Sequence, residues 1–305
     1  MEFLNQLLFL KEQIKFNKSL DFNKNEFENI VIAGMGGSGI IGKIFQEIYQ
    51  DKPVYIIDDY HIPKFVSRKT FFVGISFSGN TEETISAVKE AEAKKAHVSV
   101  ITSGGKLERH GDSKIIIPLN NIQPRAGIGY MLMPFLTGFG LASKEQISKT
   151  YKSLEKLDKS NQECRLHAIK IRKENKIPVI YGSDPFKAIA YRWKTQFNEN
   201  AKIMSFSNYF PELNHNEILG IKNFNNKYYF FVFDSRESRI KKRIQITSKI
   251  TNAKFNIIKY NSDILVENLF YLIHYGDYVT YHLSNLRKVD ALDISLIEQL
   301  KKELQ

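Results

Sequence analysis

The sequence predicts an α/β protein built from two doubly wound parallel sheets, and three observations carry that prediction. Short, fully apolar runs alternate with amphipathic stretches of helical period. Two glycine- and hydroxyl-rich loops leave the ends of such runs and open the stretches that follow. The same alternation then starts afresh in the second half of the chain. Strands apolar on both faces belong between two layers of helices, the setting of a parallel sheet. Right-handed crossovers wind such a sheet in both directions.

In the first half the strands are read at 30–33, 54–57, 70–75, 98–102 and 114–118, with helices at 39–49 and 82–95. Residues 135–173 read as helical, because Leu141, Ile147, Leu154 and Leu157 recur among charges near the helical period. In the second half a strand at 177–182 is followed by Ser183-Asp184-Pro185, a helix start, and a helix to about Asn200. Strands are expected at 202–206, 228–233 and 254–258, and helices at 264–284 and 295–304. These elements divide into domains at 1–150 and 151–305. No low-complexity linker separates them, so the halves are expected to pack together.

The composition is globular: 43% hydrophobic and 25% charged over 305 residues. A net charge of +11 suits an anionic ligand. No basic run is interleaved with aromatics, which argues against a nucleic-acid groove. Lys241, Lys242 and Arg243 read as the polar face of a helix. One cysteine, Cys164, excludes a disulfide framework and a multi-cysteine zinc site. Glu2 stands where a signal peptide would carry positive charge, and no apolar run suffices to span a bilayer. A cytoplasmic protein without membrane attachment is expected.

The first loop is Gly34-Met35-Gly36-Gly37-Ser38-Gly39, and the second is Ser76-Phe77-Ser78-Gly79-Asn80-Thr81-Glu82-Glu83-Thr84. Glycines admit an anion close to backbone N–H groups, and a helix N-terminus adds partial positive charge. The hydroxyls of Ser38, Ser76, Ser78 and Thr81, with Gly36 and Gly37, are candidates to hold one phosphate from two sides. Gly34, Gly36 and Gly39 also satisfy the dinucleotide fingerprint, with Asp58 or Asp59 where a ribose-binding acid would stand. The second loop weighs against that alternative, because a dinucleotide fold has no use for its hydroxyl cluster.

Four further residues have suitable chemistry. Glu199 ends a helix carrying Tyr191, Arg192 and Trp193, and a carboxylate among apolar groups can shuttle a carbon-bound proton. His215, between Asn214 and Asn216, titrates near neutrality. Arg125, between Pro124 and a glycine-rich stretch, is expected to project into a cleft and stabilise an oxyanion. Lys301 lies near the C-terminus beside Lys302, and nothing local distinguishes the two.

The two loops resemble those of sugar isomerase (SIS) domains. Pro124-Arg125-Ala126-Gly127-Ile128-Gly129-Tyr130, Asn198-Glu199-Asn200-Ala201-Lys202, Glu212-Leu213-Asn214-His215-Asn216-Glu217 and Leu300-Lys301 resemble, more narrowly, the bifunctional phosphoglucose/phosphomannose isomerase family. The resemblance covers nearly the whole chain. It implies two flavodoxin-like SIS subdomains and a metal-independent isomerase needing no cofactor. Glucose 6-phosphate and fructose 6-phosphate would interconvert through a cis-enediolate, with mannose 6-phosphate a further substrate. Glu199 would move the proton between C1 and C2, Arg125 would hold the enediolate charge, and His215 and Lys301 would help open the ring. The histidine would come from a partner subunit, which implies a homodimer. A non-catalytic sugar-phosphate sensor, or an isomerase of pentose or heptose phosphates, uses the same loops. Two departures stand out. Asp290-Ala291-Leu292-Asp293 replaces the family's Asp-Pro-Thr-Pro, so Leu292 lacks a hydroxyl linked to use of mannose 6-phosphate. Phe77 stands where tyrosine is common.

Overall fold

A computed structural model describes residues 2–118, 121–224 and 226–304. The chain divides into two units, one covering Leu8–Ser153 and the other Glu2–Leu7 with Leu154–Gln305. The N-terminal helix α1 (Phe3–Leu8) falls largely in the second unit because Phe3 and Leu7 pack with Ala291, Leu292 and Tyr281.

The first unit begins with α2 (Leu10–Gln13). It continues through β1 (Asn29–Gly34), α3 (Gly36–Ile48), β2 (Val54–Ile57), β3 (Thr70–Ser76), α4 (Glu82–Ala93), β4 (His97–Thr102), β5 (Ser113–Ile116) and α5 (Ile128–Gly138). Among the described residues the strands form a parallel sheet in the order β2-β1-β3-β4-β5. Successive side chains of β3 face opposite layers. Phe72 packs with Val31 and Val98 against Ala87, Val88 and Ala91 of α4. Phe71 joins a ring cluster with Phe22 and Phe139. The connections leave β1 and β3 in opposite directions, so the crevice beyond their carboxyl ends is the natural ligand site.

Helix α6 (Lys144–Lys159) crosses the boundary between the units. The second unit continues with α7 (Gln162–Lys173), β6 (Ile177–Gly182), α8 (Lys187–Ala201), β7 (Phe206–Tyr209), α9 (Glu217–Phe224) and β8 (Tyr228–Phe233). It closes with α10 (Ser238–Thr251), β9 (Phe255–Ile258), α11 (Leu265–Arg287) and α12 (Ser295–Glu303). Its parallel sheet has the order β7-β6-β8-β9.

Helices α8 and α11 are locked together. Trp193 Nε1 donates to Leu272 O at 2.8 Å, and a Cβ at Gly276 would stand 2.4 Å from that nitrogen. Beside them Arg192 makes a bidentate pair with Asp277, at 2.7 and 3.2 Å, with both side chains buried. Asp158 of α6 lies 2.7 Å from His274 Nε2 and accepts from Tyr278 at 2.6 Å. Under α11, Cys164 is fully enclosed, and burial pushes its thiol well above the ordinary range. His167 lies 2.7 Å from the Tyr229 hydroxyl, and burial pushes its ring down to about 4.

Two expected elements differ. The stretch at 135–173 is three helices, α5 to α7, broken where Gly140 takes φ +70° and again before α7. The strand expected at 202–206 starts only at Phe206, because Lys202 takes a left-handed φ of 52° that closes α8.

Removing one partner of a buried ion pair strands the other, so Asp277→Ala should cost about 3–5 kcal/mol of stability in urea unfolding. His167 is held below its unfolded value of 6.5, so its neutral form favours folding above that pH. The benefit falls as pH drops from 6.5 towards 4, by on the order of 2 kcal/mol at pH 5. His167→Gln should flatten the decline in urea midpoint between pH 7.5 and 5.

Candidate active site

The β1–β3 register pairs Gly34 with Ile75, which sets the two glycine- and hydroxyl-rich loops side by side. Helix α3 starts at Gly36, three residues earlier than its sequence pattern suggests. Its glycines are required by close approach. A Cβ at Gly39 would lie 2.4 Å from Gly34 O, and one at Gly37 would lie 3.0 Å from Arg125 Cα. The backbone turn carrying Arg125 therefore rests directly on the helix N-terminus, where unpaired N–H groups and the helix dipole favour an anion.

The hydroxyls divide by role. Ser38 is buried, and its Oγ accepts from the Phe77 N–H at 3.2 Å. This bond ties the two loops together. Ser76 is also buried, and its Oγ accepts from the Gly79 N–H at 3.1 Å and lies 2.8 Å from Thr81 Oγ1. Thr81 stands half-buried at the N-cap of α4. Ser78 is exposed, with its Oγ accepting from the Asn80 N–H at 3.3 Å. The Phe77 ring lies against Gly127, where a Cβ would come within 2.5 Å of it. Phenylalanine fills that space without a hydroxyl.

Two supports escaped the sequence reading. The segment Ser103-Gly104-Gly105 after β4 braces the second loop. Ser103 N donates to Phe77 O at 3.0 Å, and Leu107 N donates to Gly79 O at 2.9 Å. Its Ser-Gly-Gly after an apolar run was a usable signal. Gln13 of α2 is buried, donates to Ala126 O at 2.7 Å and accepts from the Gly129 N–H at 3.0 Å. It clamps the Arg125 turn from both sides, and a lone glutamine in a short helix carried no signal. Arg125 itself is only 4% exposed, with Nη1 3.5 Å from Gln123 Oε1. Asp58, the candidate ribose acid, is 62% exposed and pairs with Lys43 at 3.2 Å, while Asp59 accepts from the next residue's N–H.

In the second unit Glu199 sits half-buried in the last turn of α8. Its neighbours are fixed. Asn200 donates to Thr280 Oγ1 at 3.0 Å, and Asn198 lies 3.1 Å from Ser205 Oγ. Lys202 Nζ donates to both Glu199 O and Asp293 O, each at 2.6 Å. This lysine holds the Glu199 turn against the segment that leads into α12. Lys301 lies on α12, a helix without a buried residue. Leu292 packs on Phe3, Leu7 and Ala291, so it serves the apolar cluster under α1.

His215 ends a 3-10 turn, Glu212–His215, that follows β7, and its ring is exposed. The turn is anchored by buried Leu213 and by Asn214, which donates to Thr247 Oγ1 at 2.8 Å and accepts from Arg243 at 3.3 Å. Helix α8 returns from the carboxyl ends of the strands to their amino ends. Glu199 therefore lies before β7 and His215 after it. The four residues of β7 alone span about 13 Å. Within one copy the two side chains are not brought together.

Residues 25–133 match the SIS domain model, and residues 162–304 match the model of the bacterial phospho-glucose isomerase C-terminal SIS domain. A bifunctional phosphoglucose/phosphomannose isomerase of Thermoplasma volcanium is 54% identical over the full length of both chains. The chain belongs to the bifunctional phosphoglucose/phosphomannose isomerase family. The enzyme of that name from Thermoplasma acidophilum is 51% identical over 100% of this chain and 98% of its own. The fold is shared with glucosamine-6-phosphate deaminase of Thermotoga maritima, at TM-score 0.72 and 16% identity over 95% of this chain and 96% of that one. Among the described residues no helix is long and apolar enough to cross a membrane.

Gln13→Ala would leave the Ala126 carbonyl and the Gly129 N–H buried without a partner. It should cost about 1–3 kcal/mol in urea unfolding, because unmade buried hydrogen bonds carry their full desolvation penalty.

Proposed function

We propose that the protein interconverts glucose 6-phosphate and fructose 6-phosphate through a cis-enediolate, and that it also accepts mannose 6-phosphate. The observation that carries this reading is the pairing of two glycine-serine loops at the β1/β3 switch point, in a chain of this isomerase family. The phosphate ester takes the N–H groups at Gly36 and Gly37 and the hydroxyls of Ser78 and Thr81. Ser38 and Ser76 hold those loops in shape.

Ring opening breaks the C1–O5 bond while a proton passes from the O1 hydroxyl to O5. His215 and Lys301 serve that transfer. Glu199 then removes the proton from C2, and the electron pair forms the C1–C2 double bond of the enediolate; the O2 proton passes to O1, and the same carboxylic acid returns its proton to C1 as the C2=O2 carbonyl forms. Arg125 meets the negative charge on the enediolate oxygens. Mannose 6-phosphate, the C2 epimer, reaches the same enediolate. It is the slower substrate, by up to about tenfold, since Leu292 brings no hydroxyl and a lost hydrogen bond is worth about 0.5–1.5 kcal/mol. The active form is a homodimer in the cytoplasm, and each site takes His215 from the partner. The separation of Glu199 and His215 by the sheet supports this arrangement.

Purified protein should form fructose 6-phosphate from glucose 6-phosphate in a coupled assay, with or without EDTA. No product under either condition would refute the reading. Glu199→Gln should lower kcat by about 10²–10⁴-fold, the usual share of a general base, with sugar phosphate still bound. Glu199→Gln and His215→Ala proteins, each inactive, should complement after subunit exchange. Random pairing of symmetric dimers restores about one quarter of the sites.

A further inference from the structure

We propose that α12 of one copy seats in a cleft between α9 and α10 of a second copy, so that the contact which assembles the dimer also delivers His215. The inference rests on the shared-site reading above and names the surfaces that make it. Lys202 fastens the Glu199 turn to Asp293, two residues before α12, so Glu199 and the helix of Lys301 start side by side in one copy. His215 stands at the far end of the sheet. A second copy that brings its His215 to this site must bring the surface around that turn as well.

That surface is α9 and α10. Arg243 reaches from α10 to Asn214, the residue before His215. A cavity of about 410 Å³ opens beside it, with Ile218, Ile246 and Ile250 as apolar lining and Arg239, Lys242 and Arg243 as cations. Ile246 and Ile250 are about half exposed, which is costly on a free surface. The basic residues of α10 read in the sequence as a solvated face thus border an apolar cleft.

Helix α12 has the matching form. Leu296, Leu300 and Leu304 recur at every fourth position with Ile297 beside them, so they make one stripe. Leu296 is 80% exposed and Leu300 is 59% exposed. Lys301 borders the stripe on one side and Glu303 on the other, as the helical period requires. Seating this stripe on the isoleucines covers apolar surface on both copies and sets Glu303 near the α10 cations. It places Lys301 at the margin of the contact, where the second copy's His215 arrives. Twofold symmetry repeats the contact, giving two such seats per dimer.

Sedimentation velocity tests the proposal. Leu296→Asp/Leu300→Asp on α12 and Ile246→Asp/Ile250→Asp on α10 change exposed positions, so the monomer should stay folded by circular dichroism. Each pair should turn the dimer into monomer, with at least a tenfold loss of isomerase turnover. In the unaltered protein, hydrogen exchange in 295–303 and in 238–251 should quicken together on dilution to monomer. A wild-type monomer, or variants that stay dimeric with exchange in α12 indifferent to dilution, would overturn the inference. If those variants stay dimeric and active while Glu199→Gln is inactive, the isomerase reading stands and only the seat is wrong. If the wild type lacks turnover, sedimentation and exchange still judge the seat.

Discussion

A parallel crossover cannot bring its own two ends together. The chain leaves one strand at its carboxyl end and must re-enter the next at its amino end. Helix α8 makes that return journey in the second unit, and the family-like carboxylate lies where the helix arrives, next to Ser205. The imidazole lies where the following strand departs. This geometric separation is set by the sheet order, not by any one side chain, and no local rearrangement removes it. It keeps Glu199 and His215 of one copy at opposite ends of the sheet.

Around that constraint the structure invests its buried polar groups in holding turns. Ser38 joins two loops, Gln13 clamps a third, and Lys202 bridges two carbonyls. Deeper down, Arg192 with Asp277 and Trp193 with Leu272 fix α8 against α11. The end of this packed helix holds the Glu199 turn more rigidly than a loop would. The exposed groups, Ser78 and His215, are those that would meet something from outside.

Much of this was legible in the sequence because it is written in apolar periodicity. β3 and β8 are uninterrupted apolar runs that are buried along nearly their whole length, and the two loops follow β1 and β3 as their glycines suggest. The breaks within 135–173 were hidden, since the end of an apolar helix and two amphipathic helices in series keep the same period as one. Lys202 was misread as strand because a left-handed lysine has no compositional mark. The direction of a hydroxyl is equally invisible: Ser38 and Ser78 look alike in the loops, yet one is enclosed and the other open. The enclosure of Arg125 is hidden as well, because its proline and glycine neighbours carry no sign that Gln13, remote in sequence, holds the backbone beside it.

The enclosure of Cys164 has a practical consequence. It is the only sulfhydryl in the chain, and both burial and the Glu163 carboxylate keep it from ionising. Alkylating dyes attack the ionised form. A single cysteine engineered at any surface position would therefore be labelled alone, and the native protein can carry a fluorescent or paramagnetic reporter without first losing a residue of its interior.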